Sequence, residues 1–170
     1  MKRNLSRLSF RKTVCLFSFI FFTAFNSFAQ PGAALRFDGT NDYITLPPVL
    51  GAASDFTIEF SINTGSTAIN QRVFDFWNSP SAYIRFTPYA ASGNPAFEIT
   101  NTGIPFTVEA LSPIPQGVWT HIAIVHFGNS YSLFINGNPG ATGTTTIQPN
   151  DVGVTANNWI GRSDFGSPLF

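Results

Sequence analysis

The chain has 170 residues, of which 15% are aromatic and 11% charged, with nine basic and nine acidic side chains. Five of the basic residues, Lys2, Arg3, Arg7, Arg11 and Lys12, crowd the first twelve positions; beyond them Arg36, Arg72, Arg85 and Arg162 face all nine acids, a net charge of about −5. That balance disfavours nucleic acid and anionic membrane as partners, and the length supports one domain with a core of ordinary size.

In chain order, the basic head is followed by a twelve-residue apolar run, Val14 to Phe25, and by Ser27-Phe28-Ala29 before Gln30. This is the layout of a secretory signal peptide cleaved after Ala29. The run falls short of the roughly 20 apolar residues that cross a bilayer as a helix, so no membrane insertion is expected after cleavage. The destination is extracellular or periplasmic. Cys15 leaves with the signal, so residues 30–170 carry no cysteine and rely on packing rather than disulfides.

The remainder shows no sustained helical period. Short β-rich runs alternate with turn residues: Ala34 to Asp38, Asp42 to Leu46, Phe56 to Asn63, Gln71 to Phe76, Ala82 to Thr87, Ala96 to Thr100, Phe106 to Ala110, Val118 to Phe127, Tyr131 to Ile135, Gly140 to Thr145 and Asn158 to Arg162. All fourteen glycines and twelve prolines lie in this part, mostly between the runs. Val118 to Phe127 is apolar on both pleat faces, as expected of a central strand covered on both sides. Gly128-Asn129-Ser130 supplies a turn, and Asn136-Gly137 is the dipeptide that best tolerates the positive φ angles of a type I′ hairpin. The pattern predicts an all-β sandwich of two antiparallel sheets in a single domain, residues 30–170.

The segments ALRFDGTNDYITLP, DFTIEFSIN, VWTHIAIVHFGNSYSLFING and NNWIGRSD, in that order, resemble the laminin G-like, concanavalin A-like jelly-roll domains of secreted bacterial proteins, from about Ala33 onward. The resemblance implies a sandwich whose concave sheet and rim loops are available to ligands. It also implies a last strand, after the NWIGRSD-like segment, that pairs with the first. The chain stops at Phe170, where that strand would begin, so a C-terminally truncated domain with an open edge at Ala34 to Asp38 is expected.

Asp38, Asn41 and Asp42 form an oxygen-rich turn. Such a loop suits Ca²⁺, which takes six to eight oxygen ligands, and some relatives of this type bind calcium; the same composition also serves a plain turn. Trp77, with Tyr83 nearby and Asp75, Asn78 and Arg85 as polar partners, is the candidate glycan platform, because sugar rings stack on aromatic faces and polar groups bond their hydroxyls. The alternative is that Trp77 caps the core from a loop. Trp119 and Trp159 are expected in the core. His121 is expected to be buried and bonded to a backbone carbonyl, with His126 on the opposite face.

No catalytic residue is assigned. Glu59, Glu98 and Glu109 fall in separate segments, and no acid-x-acid alternation of the sandwich glucanases occurs. No nucleophile elbow is present either. The sequence therefore points to a secreted, non-catalytic module that binds extracellular glycan, with calcium as its one candidate cofactor. The alternative is a structural or adhesive module contacting cell-surface protein.

Overall fold

The computed structural model describes residues 33–48, 50, 54–164 and 170, so the signal sequence and its cleavage point lie outside the described residues. Arg36–Phe170 forms one compact unit. It contains ten strands: β1 (Ile44–Thr45), β2 (Phe56–Ile62), β3 (Phe74–Ser79), β4 (Ala82–Thr87), β5 (Ala96–Thr100), β6 (Phe106–Glu109), β7 (Thr120–Phe127), β8 (Ser130–Ile135), β9 (Asn138–Thr144) and β10 (Asn157–Ile160), with a 3-10 turn at Pro149–Val152. The larger sheet has the order β1-β10-β3-β4-β5-β6 and the smaller β2-β7-β8-β9. Neighbouring strands are antiparallel throughout.

Period-two alternation builds the interior. On β2, Phe56, Ile58, Phe60 and Ile62 turn inward while Thr57, Glu59 and Ser61 are exposed. From the larger sheet, Phe74, Phe76, Ile84, Phe86, Phe97 and Ile99 face them. The Phe60 ring meets Phe86 edge-on at 5.3 Å between centroids and Phe74 at 6.0 Å, contacts that add about 0.5–1.5 kcal/mol each beyond burial. At the opposite side, a Cβ on Gly143 of β9 would come within 2.7 Å of the Phe106 ring, so glycine lets β9 close over β6. The β8–β9 hairpin turns through Asn136 (φ 50) and Gly137 (φ 76), as a type I′ turn requires.

Several expectations change. Ala34 to Asp38 joins neither sheet; Phe37 instead lays its ring against Gly161. β7 is central in its sheet but covered on one side only. Ile122, Ile124 and His126 face the core, whereas His121 and Val125 are half-exposed. The buried histidine is thus His126, stacked 4.1 Å from Tyr131, while His121 lies 3.9 Å from Glu59 on the outside. Trp119 precedes β7 and is 56% exposed, and Trp159 is buried on the outer face of the larger sheet rather than in the core. The run Gln71 to Phe76 becomes a strand three residues later, because its hairpin turns at Pro80-Ser81, with Ser79 paired to Ala82.

Phe86→Ala removes a fully buried ring from the Phe60–Phe74 cluster. It is expected to cost about 3–5 kcal/mol, measured as a lower urea midpoint at unchanged slope.

Candidate functional site

The outer face of the larger sheet carries the unusual chemistry. Register places Trp159, Asp75, Arg85 and Glu98 side by side across β10, β3, β4 and β5, with Trp77 opposite Tyr83 in the adjoining row. Alternation points these side chains away from Phe74, Phe76, Ile84 and Phe86, and hence away from the core. Four expected site residues, Asp75, Trp77, Tyr83 and Arg85, therefore converge. Trp77 does so from within β3, not from a loop, and is only 9% exposed.

The Trp77 and Tyr83 rings stack at 6.1 Å with an interplanar angle of 9°. The Arg85 guanidinium lies 4.3 Å over Tyr83 and pairs with Glu98 through Nε. Asp75 is fully buried and its Oδ2 accepts a 3.0 Å hydrogen bond from the Ser163 hydroxyl. Burial raises the Asp75 pKa to about 6; the Ser163 bond and the positive charges of Arg85 and Arg72 pull the other way without prevailing. Arg72 donates from Nη1 to Thr87, and burial lowers its pKa to about 10. Among the described residues Asp75 Oδ1 and Arg72 Nε on this face are buried without a hydrogen-bond partner, as are both ring nitrogens of His126 on the core side of β7. Orphaned polar atoms of this kind each cost about 1–3 kcal/mol.

One margin of this face is built by β1 and the segment after β10. Arg162 lies 4.6 Å over the Trp159 ring and 4.7 Å over Tyr43. Gly161 makes the corner possible: its φ is +83, and a Cβ there would meet Phe37 at 2.9 Å. Tyr43 is 45% exposed, so Tyr43 with Arg162 forms a solvent-facing rim beside the buried Trp77, Tyr83 and Asp75. Arg72, Glu98, Trp159, Arg162 and Ser163 were missed at the sequence level. The one signal for any of them was the single charge at the centre of AYIRFT and of AFEIT, which antiparallel pairing sets opposite each other.

Asn78 leaves the cluster. Its Nδ2 donates at 2.8 Å to the Val152 carbonyl and ties β3 to the 3-10 turn. The Asp38–Asp42 loop spends its oxygens on its own backbone: Asp38 Oδ1 accepts from the Thr40 and Asn41 amides, and Asp42 Oδ2 from the Asp38 amide. These amides hold the Asp38 pKa below its ordinary value. Among the described residues no group of three or more His, Cys, Asp or Glu gathers as a metal would need, so the loop fits a turn better than a calcium cage. Melting curves in Ca²⁺ and in chelator are expected to coincide; a calcium-dependent rise abolished by Asp38→Asn would show that the turn reorganises around the ion.

Because the folded-state pKa of Asp75 lies above its ordinary 3.8, the native state holds this proton more tightly than the unfolded chain. The contribution to stability is full below about pH 4 and is lost as pH rises through about 6, on the order of 2–3 kcal/mol. Asp75→Asn keeps an acceptor for Ser163 without the charge. Relative to the wild type it is expected to gain stability between pH 4.5 and 7.5 in urea unfolding, and equal pH slopes would contradict this.

The comparisons with known proteins agree with this architecture. The laminin G family of the concanavalin A-like lectin/glucanases superfamily matches residues 38–170. Domain 4 of AbnA, an extracellular arabinanase from Geobacillus stearothermophilus solved with arabinotriose, is similar at TM-score 0.64 and 21% identity, over 75% of this chain and 61% of that one. The CBM40 of a Ruminococcus gnavus sialidase, solved with α2,3 sialyllactose, gives TM-score 0.60 and 20% identity over 71% of each chain. Domains LG4-5 of the mouse laminin α1 chain give 0.60 and 13%, over 76% of this chain and 36% of that one. No curated protein sequence matches. With a family match over most of its length and the two-sheet topology to go with it, the chain belongs to the laminin G family of the concanavalin A-like superfamily.

Proposed function

We propose that this chain is a secreted, non-catalytic module that binds extracellular glycan on the outer face of its larger sheet. One observation carries the reading: aromatic rings, a charge row and two orphaned buried polar atoms, Asp75 Oδ1 and Arg72 Nε, share the face that the core does not use. Strained electrostatics of this kind concentrate where a ligand is handled, and sugars need both aromatic faces and hydrogen-bonding edges. Two of the solved relatives contain oligosaccharides, arabinotriose in one and sialyllactose in the other, which supports the ligand class. The basic, apolar and small-residue order of positions 1–29 supports export. Among the described residues no helix is long and apolar enough to cross a membrane.

A hydrolytic role is disfavoured by the same geometry. Glu98 is paired with Arg85, which stands between it and Asp75 in the register. No second carboxylate therefore flanks an open space in which a glycosidic bond and its water would sit. The second reading, contact with a cell-surface protein, is favoured by the exposed Val118–Trp119 pair outside the smaller sheet.

Tyr43→Ala is expected to weaken glycan binding at least tenfold at unchanged melting temperature, since the ring is at the rim. Trp77→Ala is expected to lower both affinity and stability, because Trp77 is buried against Tyr83 beside the rim. A glycan array with no bound sugar, or binding indifferent to both substitutions in calorimetry, would remove the reading; retention on cell-surface protein lost in Trp119→Ala would favour the second.

A further inference from the structure

Arg162 differs from the other two arginines of this face. Arg85 is held by Glu98 and Arg72 by Thr87. Among the described residues Arg162 makes neither a hydrogen bond nor an ion pair, although Asp42 precedes Tyr43, Asp75 pairs in register with Trp159, and Asp164 follows two positions on. Two of these carboxylates are engaged elsewhere, Asp42 with the Asp38 amide and Asp75 with Ser163. Only the flat face of the guanidinium is used, over Trp159 and Tyr43. A guanidinium laid on aromatic rings keeps its charge and its planar fork of N–H donors at the edge, and the rings restrain it before any ligand arrives. That edge matches a carboxylate with two parallel hydrogen bonds.

We infer that Arg162 is a ligand-recognition residue and that the glycan taken by this face bears a carboxylate, as in a uronic acid, whose two oxygens meet the Arg162 fork beside the Tyr43 ring. This inference rests on the glycan-binding reading and narrows its ligand class. Residues 30–170 carry four arginines against nine acids, which leaves no general attraction for polyanions, so recognition of a carboxylate falls to this one residue. Arginine and lysine are then not interchangeable, because a point charge lacks the fork.

The experiment titrates residues 30–170 with polygalacturonate, alginate and hyaluronate, each beside its carboxyl-reduced neutral counterpart, together with a panel of neutral polysaccharides. Arg162→Ala and Arg162→Lys are run in parallel, and melting temperature serves as the folding control. At least one carboxylated polymer is expected to bind tenfold or more tightly than its reduced form. Arg162→Ala should abolish that preference, and Arg162→Lys should recover little of it. Equal affinity for the two forms, or a preference untouched by Arg162→Ala, overturns the inference. Binding confined to neutral polysaccharides overturns it while the glycan-binding reading stands; no binding by any polymer overturns both. If Arg162→Ala melts early, Tyr43→Phe, which keeps the ring beneath the guanidinium, must retain the carboxylate preference, and its loss there counts against the inference.

Discussion

The register between β3 and β4 governs the candidate site. With Asp75 opposite Arg85 and Trp77 opposite Tyr83, Phe74, Phe76, Ile84 and Phe86 face the smaller sheet and Asp75, Trp77, Tyr83 and Arg85 face outward. A slip of one residue would exchange the two sets, burying Asp75 and Arg85 among phenylalanines. Core packing around Phe74, Phe76, Ile84 and Phe86 therefore specifies the outer face as firmly as it specifies the interior. The bulge between Trp77 and Ser79 comes after the Trp159–Asp75–Arg85–Glu98 row, so the turn adapts without disturbing it.

Holding that face together is costly. A buried carboxylate with a raised pKa and a buried arginine with a lowered one both mark charges that the surrounding protein solvates poorly. The charges are close enough to moderate one another, and the Ser163 hydroxyl bonds one carboxylate oxygen, but among the described residues the second oxygen and the Arg72 Nε find no partner. A fold selected only for stability would replace this row with apolar side chains of similar volume. That cost, borne on a face the core does not use, is what supports reading it as a recognition surface.

Much of the sheet was legible in the sequence because single strands announce themselves by alternation. β4 and β5 were bounded correctly, and Asn136-Gly137 marked its hairpin. What alternation leaves open is which of two faces is inner. His121 and His126 were rightly set on opposite faces of β7, yet the buried one was misassigned, because only the opposing sheet decides the matter. Trp119 misled for the same reason. Of the site, Asp75, Trp77, Tyr83 and Arg85 were readable as a local cluster. Trp159, Arg162 and Ser163 were not, because β10 reaches β3 across some eighty residues of chain and only the folded register brings them beside Asp75. Asn78 read as a partner of Trp77 by adjacency, and alternation then sent it to the other side.

The corner at Gly161 has one further implication. Phe37 occupies the space a side chain would take there, so a residue near the beginning of the compact unit sets the path of the segment that carries Arg162 and Ser163. Phe37 and the Gly161 corner, far apart in the sequence, meet at the rim, and the site belongs to neither alone. Any shortened version that starts after Phe37 would keep all the strands yet lose the wedge that fixes Arg162 over its rings. Folding and recognition would then part company, and a well-formed sandwich with a slack rim would be a poor guide to what the whole protein holds.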